Sequence, residues 1–517
     1  MPDVKLFLNR EHGIRLFTML IFIMLSIASF GFDAYLFYVS NSAYTFAIAV
    51  VFLALSIVAG FFNIQSAIWY YKSYFYWKYL NGIEKNLMPL KRLPTVAVVV
   101  PSYNEDANMV KKNLIRLKTL EYPKNKIRFY LAEDSTNPEI TEELRKFSEK
   151  NGIIFTHRAK REGFKAGALN NILKYSNEEL VAIFDADEYL IDKKFLIDNV
   201  KYFSENGLSY IQTEKRYKAT TFFSQCVDIF DAFFFRFVEP ARAMNNTAIF
   251  SGSCGIIRRS ALDKIGGFPE YVIEDTFFSF ESDMNNYKSL YIPKIYALGK
   301  PIETFSSLVK QQWRYNYGDT QFIDYYMRRS KPKKRSLVSS MDYIAHGFGL
   351  NYLSVFLILF TVCSIFITLS PFTFAHIDLS SLFNLSTMTT DLEILGFFAF
   401  SMSFLAPVFL AKIYFGSFKK GFMIFLLNYA LAFVRARAAL AAIFNKNPGA
   451  NWNRQSSSAK TGMLANLYTT RVELSFSALL FGLSIFAYTQ SNLAGSVWLA
   501  IYGMLYIFTT VFHVKYG

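Results

Sequence analysis

Three cysteines, Cys226, Cys254 and Cys363, are all that the 517 residues contain. They are too few and too scattered for a disulfide framework or a zinc site. No DNA- or RNA-binding motif accompanies the formal charge of +15, so nucleic acid is not the expected partner. The charge suits basic cytoplasmic loops that orient membrane spans and Lys/Arg facing anionic lipid. A further shortage is local: residues 371–392 hold no Lys or Arg, which places that segment outside. What abounds is apolar. Such residues make up 52% of the chain, with 55 Phe and 33 Tyr. The length suggests two or three domains.

Residues 16–39 are apolar except for Asp33, and 43–69 form a second run. Each can cross about 30 Å of hydrocarbon as a helix. The first is too long for a signal-peptide core, so neither reads as cleaved. Tyr70, Tyr71, Tyr74, Tyr76 and Trp77 then suggest an interfacial aromatic belt. Further spans are expected at about 347–370, 393–415, 474–490 and 495–513. Arg15, the basic run 331–335, Lys419, Lys420, Lys446, Arg454, Lys460, Arg471 and Lys515 should lie inside. That requires 421–443, with Arg435 and Arg437, to be an interfacial helix. Six spans result; seven would put 446–471 outside.

Between about 95 and 335 the character changes. TVAVVV (95–100), IRFYLA (127–132), IIFTH (153–157), LVAIFDAD (180–187) and LSYIQT (208–213) read as strands. Helical patterns lie between them. Val110, Leu114 and Leu117 share one face, and another helix starts at Asn137-Pro138 and stops at Gly152. Unbroken apolar strands alternating with helices indicate a mostly parallel sheet covered on both faces.

Five segments carry chemistry. VVVPSYNED (98–106) puts a polar loop at the C-terminal end of a buried strand, where open α/β sheets bind ligands. LAEDST (131–136) places two carboxylates at another strand end, as base or ribose contacts or as a helix cap. In FDADEYL (184–190), Asp185 and Asp187 point the same way if strand geometry continues. Two hard oxygen ligands suit Mg²⁺ or Mn²⁺, with phosphate and water completing the shell. FSGSCGIIRRSALDKIGGFPEYVIEDTFFS (250–279) combines glycines that admit close approach with a Glu274-Asp275 pair. That pair can supply a general base or simply begin a helix. In QQWRYNYG (311–318), Arg314 can stabilise phosphate charge, and Trp313, Tyr315 and Tyr317 can offer flat faces to a sugar ring.

In order and spacing these segments resemble family-2 glycosyltransferases of the processive membrane type, the cellulose, hyaluronan and chitin synthases. The resemblance implies a GT-A type nucleotide-sugar-binding domain embedded in a polytopic helical membrane protein. It implies that Tyr103, Glu105, Glu133 and Asp134 contact the nucleoside, and that Lys165 of KREGFKAGALNN (160–171) reaches the nucleotide. Asp185 and Asp187 then hold the diphosphate through Mg²⁺ or Mn²⁺. Phe250, Ser251, Gly252 and Ser253 lie beside the acceptor sugar, and Asp275 is the catalytic base, with Glu274 beside it. Gln311, Arg314 and Tyr315 match Q-x-x-R-W at the channel mouth. Glu133 departs from the family's Asp, Ile273 from the Thr of T-E-D, and Tyr315 from the Trp of Q-x-x-R-W. In 445–460, where a gating loop is expected, only Trp452 and Lys460 echo the family pattern.

The implied layout is two transmembrane helices in 1–80, a cytoplasmic transferase domain in 90–335, and transmembrane and interfacial helices in 336–517. A gating-like loop falls near 445–473. The implied reaction inverts the anomeric centre, moving sugar from a nucleotide-sugar, a UDP-sugar by resemblance, onto a growing polysaccharide exported across the plasma membrane. The implied partners are the donor, a polysaccharide or lipid-linked acceptor, and membrane lipid. Single transfer to a polyprenyl phosphate or other lipid is the rival reading. It shares the donor motifs but needs neither Q-x-x-R-[WY] nor many later spans. A non-enzymatic scaffold is opposed by the intact Asp187, Asp275 and Arg314.

Overall fold

The computed structural model describes residues 18–329, apart from several positions between 25 and 42, together with 336–369, 408–444 and 467–517. The expected spans at 16–39 and 393–415, the basic run 331–335, the outside segment 371–392 and the loop at 445–473 lie largely or wholly outside these residues.

Eight strands form one sheet: β1 (Val96–Ser102), β2 (Ile127–Glu133), β3 (Ile154–His157), β4 (Leu180–Ile183), β5 (Tyr189–Leu190), β6 (Leu208–Tyr217), β7 (Gly255–Arg258) and β8 (Lys288–Gly299). Their order is β3-β2-β1-β4-β7-β6-β8-β5. The β3-β2-β1-β4 half is parallel throughout. Its strands are apolar runs because both faces are covered: residues 96–100 are at most 1% exposed. The Ala107–Leu117 helix lays Val110, Leu114 and Leu117 on it, each at 0% exposure, and Asp106 caps it by accepting from Met109 N. Asn137, rather than Asp134 or Ser135, caps the Pro138–Lys150 helix.

The other half is mixed. β7 runs antiparallel to β4 and β6, β5 antiparallel to β8, and β6 parallel to β8. β8 contains Pro293, which on sequence grounds opposes a strand. The register jumps there, from Thr213 opposite Ile292 to Glu214 opposite Ile295, so the proline sits in an irregularity.

Ala43–Asn86 is a single helix of 44 residues, about 66 Å at 1.5 Å per residue. Its far end is bolted to the sheet domain. Tyr76 and Leu80 belong to the main apolar core, and the Tyr76 hydroxyl donates to the Tyr291 carbonyl. Tyr70 stacks on Phe237 with ring centroids 4.6 Å apart. The expected aromatic belt is thus partly a protein interface: Tyr71 is exposed, while Tyr70 and Tyr76 are buried.

Among the described residues four helices are long and apolar enough to cross a membrane: Ala49–Asn86, Phe418–Ile443, Arg471–Thr489 and Gly495–Tyr516. A fifth appears if the bent pair Leu337–Gly349 and Asn351–Phe366 counts as one span. The Phe418–Ile443 helix, expected to be interfacial, is among these four by length and composition. Arg435, the reason for that reading, is wholly buried and points into the protein. Its Nε donates to Gln312 Oε1 at 2.9 Å and its Nη1 to Asn428 Oδ1 at 3.1 Å. Arg437 pairs with the buried Glu473 at 2.7 Å. Both arginines thus have protein partners, although Arg435 Nη2 is buried without an acceptor among the described residues.

Asp342 ties the helices to the sheet domain. Its Oδ1 accepts from Gln65 Nε2 and Trp69 Nε1, both at 2.7 Å. Its Oδ2 accepts from Asn245 Nδ2 and Thr247 Oγ1, both at 2.6 Å. A carboxylate at 0% exposure tolerates burial only because these donors replace water. The node lies just ahead of the 250–253 segment.

Candidate active site

The C-terminal ends of β1, β2 and β4 meet at one edge of the parallel half, with Ser102 opposite Glu133 and Val99 opposite Ile183. Past β1, Asn104 takes a positive φ of 52°. Its side chain accepts from Thr136 N at 2.8 Å, and its own N–H donates to Ser135 Oγ at 2.7 Å. This clasp presents Tyr103 and Glu105. The Arg161 guanidinium lies over the Tyr103 ring, 3.6 Å from its centroid.

Glu133 does not face this opening. It is at 0% exposure, and Oε1 accepts from Ser135 N at 2.6 Å. The strand pleat turns it inward, where it holds the Ser135 loop. Asp134 is paired with Arg158, Nε to Oδ1 at 3.0 Å and Nη2 to Oδ2. Arg158 also donates to the carbonyls of Glu162 and Phe164, which fixes the start of the Phe164–Leu173 helix carrying Lys165.

Strand β4 ends at Ile183, so Asp185 and Asp187 sit in a turn, not on a continuing strand. The turn closes when Asp185 N donates to Glu188 Oε2 at 2.8 Å and Glu188 N to the Asp185 carbonyl at 3.0 Å. The two aspartates therefore have different surroundings. Asp185 lies 2.6 Å from Lys165 Nζ, 2.8 Å from Ser253 Oγ and 3.5 Å from Lys215 Nζ. Burial pushes its pKa up, but Lys165, Lys215 and Ser253 outweigh burial and hold it well below the usual range. Asp187 has no hydrogen bond or ion pair among the described residues. Burial, then the charges of Asp185, Glu188 and Glu105, push it up to about 7.

That contrast bears on a cation. Among the described residues no three His, Cys, Asp or Glu side chains converge as a metal site. Asp185 is matched by lysines, whereas at Asp187 burial and the charges of Asp185, Glu188 and Glu105 outweigh Lys215. A hard divalent ion fits there if diphosphate and water supply its other ligands.

Facing the turn, the Glu274–Met284 helix begins directly with its two acids. Asp275 Oδ1 accepts from Thr276 N at 2.8 Å. A Cβ on Gly252 would lie 3.1 Å from Asp275 Oδ2 and 3.4 Å from Lys165 Nζ, and Gly252 has φ +80°. Glycine here lets the backbone pass between Asp275 and Lys165, and its carbonyl accepts from Lys165 at 3.0 Å. Burial raises Asp275 above the usual range against the Thr276 N–H, Lys165 and Arg314. Burial and Asp275 together push Glu274 up to about 7.

Of the four residues expected beside the acceptor, three are buried. Phe250 is 1% exposed and packs on Tyr210 and Phe278. Ser253 is at 0% exposure and lies 2.6 Å from Glu188 Oε1. Gly252 is buried as well, and Ser251 is half-buried. On the Phe305–Arg329 helix, Arg314 is exposed, its guanidinium 5.2 Å from the Tyr315 centroid. Gln311 Nε2 donates to Tyr315 OH at 3.3 Å. Tyr317 belongs to the core, and Trp313 and Tyr315, both half-buried, pack against it.

Lys215 and Glu188 occupy the centre of this site, yet no motif pointed to them. Lys215 Nζ lies 2.5 Å from Ser253 Oγ, 3.3 Å from the Ser251 carbonyl and 3.3 Å from Glu188 Oε1. The available signal was a charged E-K-R triplet closing an apolar strand. Arg158 and Arg161 were likewise unmarked within a basic loop.

Residues 97–266 match the family model for Glycosyl transferase family 2. The chain is 30% identical over 238 residues to a cellulose synthase catalytic subunit [UDP-forming] of Pseudomonas fluorescens, covering 44% of this chain and 32% of that protein. It is 28% identical over 258 residues to a probable glucomannan 4-beta-mannosyltransferase of Oryza sativa, covering 47% of this chain and 43% of the other. The chain thus spans about a third to under half of these relatives. A solved mannosyltransferase of Pyrobaculum calidifontis, in complex with GDP-Man and Mn2+, superposes with a TM-score of 0.48 at 17% identity, covering 74% of this chain and all of that one.

Proposed function

We propose that this chain, whose residues 97–266 form a family-2 glycosyltransferase domain, is a membrane hexosyltransferase. It transfers sugar from a nucleoside diphosphate sugar to a growing polysaccharide. One observation carries the reading. Lys165 bridges Asp185 and the Gly252 carbonyl, and Asp275 lies against the same glycine. Diphosphate-side and acceptor-side groups therefore meet in one cleft at the strand ends. The relatives described as UDP-forming support a UDP-sugar as donor.

In the reaction the acceptor hydroxyl oxygen attacks the anomeric carbon as the bond to the diphosphate oxygen breaks. The hydroxyl proton passes to the Asp275 carboxylate. The departing oxygen gains negative charge, which Lys165 and Arg314 would stabilise. Tyr103 and Glu105 hold the nucleoside side, with Asp134 fixed by Arg158. Ser251, Gly252, Gln311 and Tyr315 hold the acceptor. A divalent cation, when bound at Asp187 with the diphosphate, would neutralise leaving-group charge. Passage of product between the helices is supported by polar residues buried in the bundle: Gln312, Asn316, Asn351, Asn428 and Arg435. A hydroxyl-rich chain needs such partners to cross hydrocarbon.

The pH dependence tests the base. A carboxylate raised above its usual value stays protonated to higher pH and loses its proton-accepting form as pH falls through that raised value. The acidic limb of kcat/KM is therefore expected above about 3.9, the ordinary aspartate value. Initial transfer rates of the purified protein, with a radiolabelled nucleotide-sugar, give the profile. A rate flat down to about pH 4 would remove Asp275 and Glu274 from proton transfer.

A further inference from the structure

We propose that Lys215 is a positioning residue that seats the 251–253 segment on the Asp185–Glu188 turn, and thereby fixes where the acceptor sugar stands relative to the donor. The inference rests on the glycosyltransferase reading above. It assigns Lys215 to acceptor placement rather than to diphosphate binding.

The 251–254 segment needs holding. Gly252 and Cys254 have φ of 80° and 51°, and the second is unusual for a side chain with a Cβ. Strand β6 supplies the hold. Gln212 Oε1 accepts from Ser251 N at 2.7 Å, and Gln212 Nε2 donates to the Ser253 carbonyl at 3.0 Å. Thr213 Oγ1 donates to the Cys254 carbonyl at 2.6 Å. Those contacts stay on the acceptor side. Lys215 goes further: it reaches Ser251 and Ser253 and also Glu188 and Asp185. The neighbouring Arg216 turns away to Asp228.

The proton count separates the two lysines. An ammonium has three N–H donors. Those of Lys215 meet Ser253 Oγ, the Ser251 carbonyl and Glu188, in a side chain only 14% exposed. Lys165 has two such acceptors, Asp185 Oδ1 and the Gly252 carbonyl, and is 28% exposed. Lys165 thus keeps a donor for the incoming diphosphate, and Lys215 does not. Misplacing a reacting group by about 1 Å costs about 10²-fold, so a loosened Ser251–Gly252 backbone should lower transfer without weakening donor binding.

The test compares wild type with Lys215→Met and Lys215→Arg in the full-length protein in detergent. Affinity for a nucleoside diphosphate is measured by direct titration. Transfer is measured separately from donor hydrolysis to water. Amide exchange is followed across 249–255. Lys215→Met is expected to leave nucleotide affinity within about threefold, under 1 kcal/mol. It should lower transfer by about 10²-fold, preserve hydrolysis, and speed exchange in 249–255. Lys215→Arg, which keeps the charge and donors, should recover part of both. The double variant Glu188→Gln with Lys215→Met removes the unpaired buried carboxylate, and should show the same loosened segment if the single variant folds poorly. Nucleotide affinity falling in step with transfer would make Lys215 a diphosphate ligand and overturn the proposal. Unchanged exchange in 249–255 would overturn it too. If wild type turns over no nucleotide-sugar, the glycosyltransferase reading fails, while the exchange measurement still decides whether Lys215 holds this segment.

Discussion

Replacing Asp275 by Asn is expected to leave donor binding intact and to lower sugar transfer by about 10²–10⁴-fold, the usual cost of losing a general base. The substitution keeps size and shape, and the Asn Oδ1 can still accept from Thr276 N as Asp275 does at 2.8 Å. It removes the group proposed to take the acceptor proton. Asp275 is preferred to Glu274 because its Oδ2 lies beside Gly252 and Lys165, where donor and acceptor groups meet. Glu274 is 8% exposed and opens the helix, where an acid also suits the unpaired N–H groups. Steady-state kinetics with nucleotide titration separate the two. Near-normal turnover in the Asp275 variant would move the base to Glu274.

The second large effect concerns Asp187. Asp187→Ala should abolish any stimulation by Mg²⁺ or Mn²⁺ and weaken donor binding. The loss expected is several kcal/mol of charge stabilisation, or about 10²–10³-fold in rate. The reason lies in the different surroundings of the two aspartates. Asp185 already has Lys165 and Lys215 as counter-ions, whereas Asp187 is left in the negative potential of Asp185, Glu188 and Glu105. Asp185→Asn should therefore act mainly by releasing the lysines. Donor titrations with and without Mn²⁺ make the comparison. Full activity in excess chelator would exclude the cation.

The parallel half of the sheet was legible because its strands are buried on both faces and so read as unbroken apolar runs. The strand ends gave Tyr103, Asp134, Asp185 and Asp187 their common location. The mixed half was less legible. β7 is four residues long, and β8 carries Pro293 in its middle. Side-chain direction was hardest to read. Glu133, Phe250 and Ser253 lie within segments that resemble a family pattern, yet each points inward, because alternation along a strand and a positive φ at Gly252 decide facing. Lys215 and Arg158 escaped notice for the opposite reason. A single basic residue in a charged stretch gives no pattern, and its role exists only through partners distant in sequence, such as Ser253 for Lys215. The partners of Arg435 were equally hidden: a charge in an apolar helix suggests an interface, and nothing in the sequence joins it to Gln312, 123 residues away.

The central claim is that this chain polymerises sugar from a nucleotide donor. It is tested most directly by incubating purified protein in lipid vesicles with a panel of radiolabelled nucleotide-sugars and sizing the product. The account predicts that one donor yields a ladder or long polymer, and that Tyr315→Ala shortens it while donor hydrolysis persists. A product consisting solely of lipid carrying one sugar, with no longer species at high donor, would contradict it.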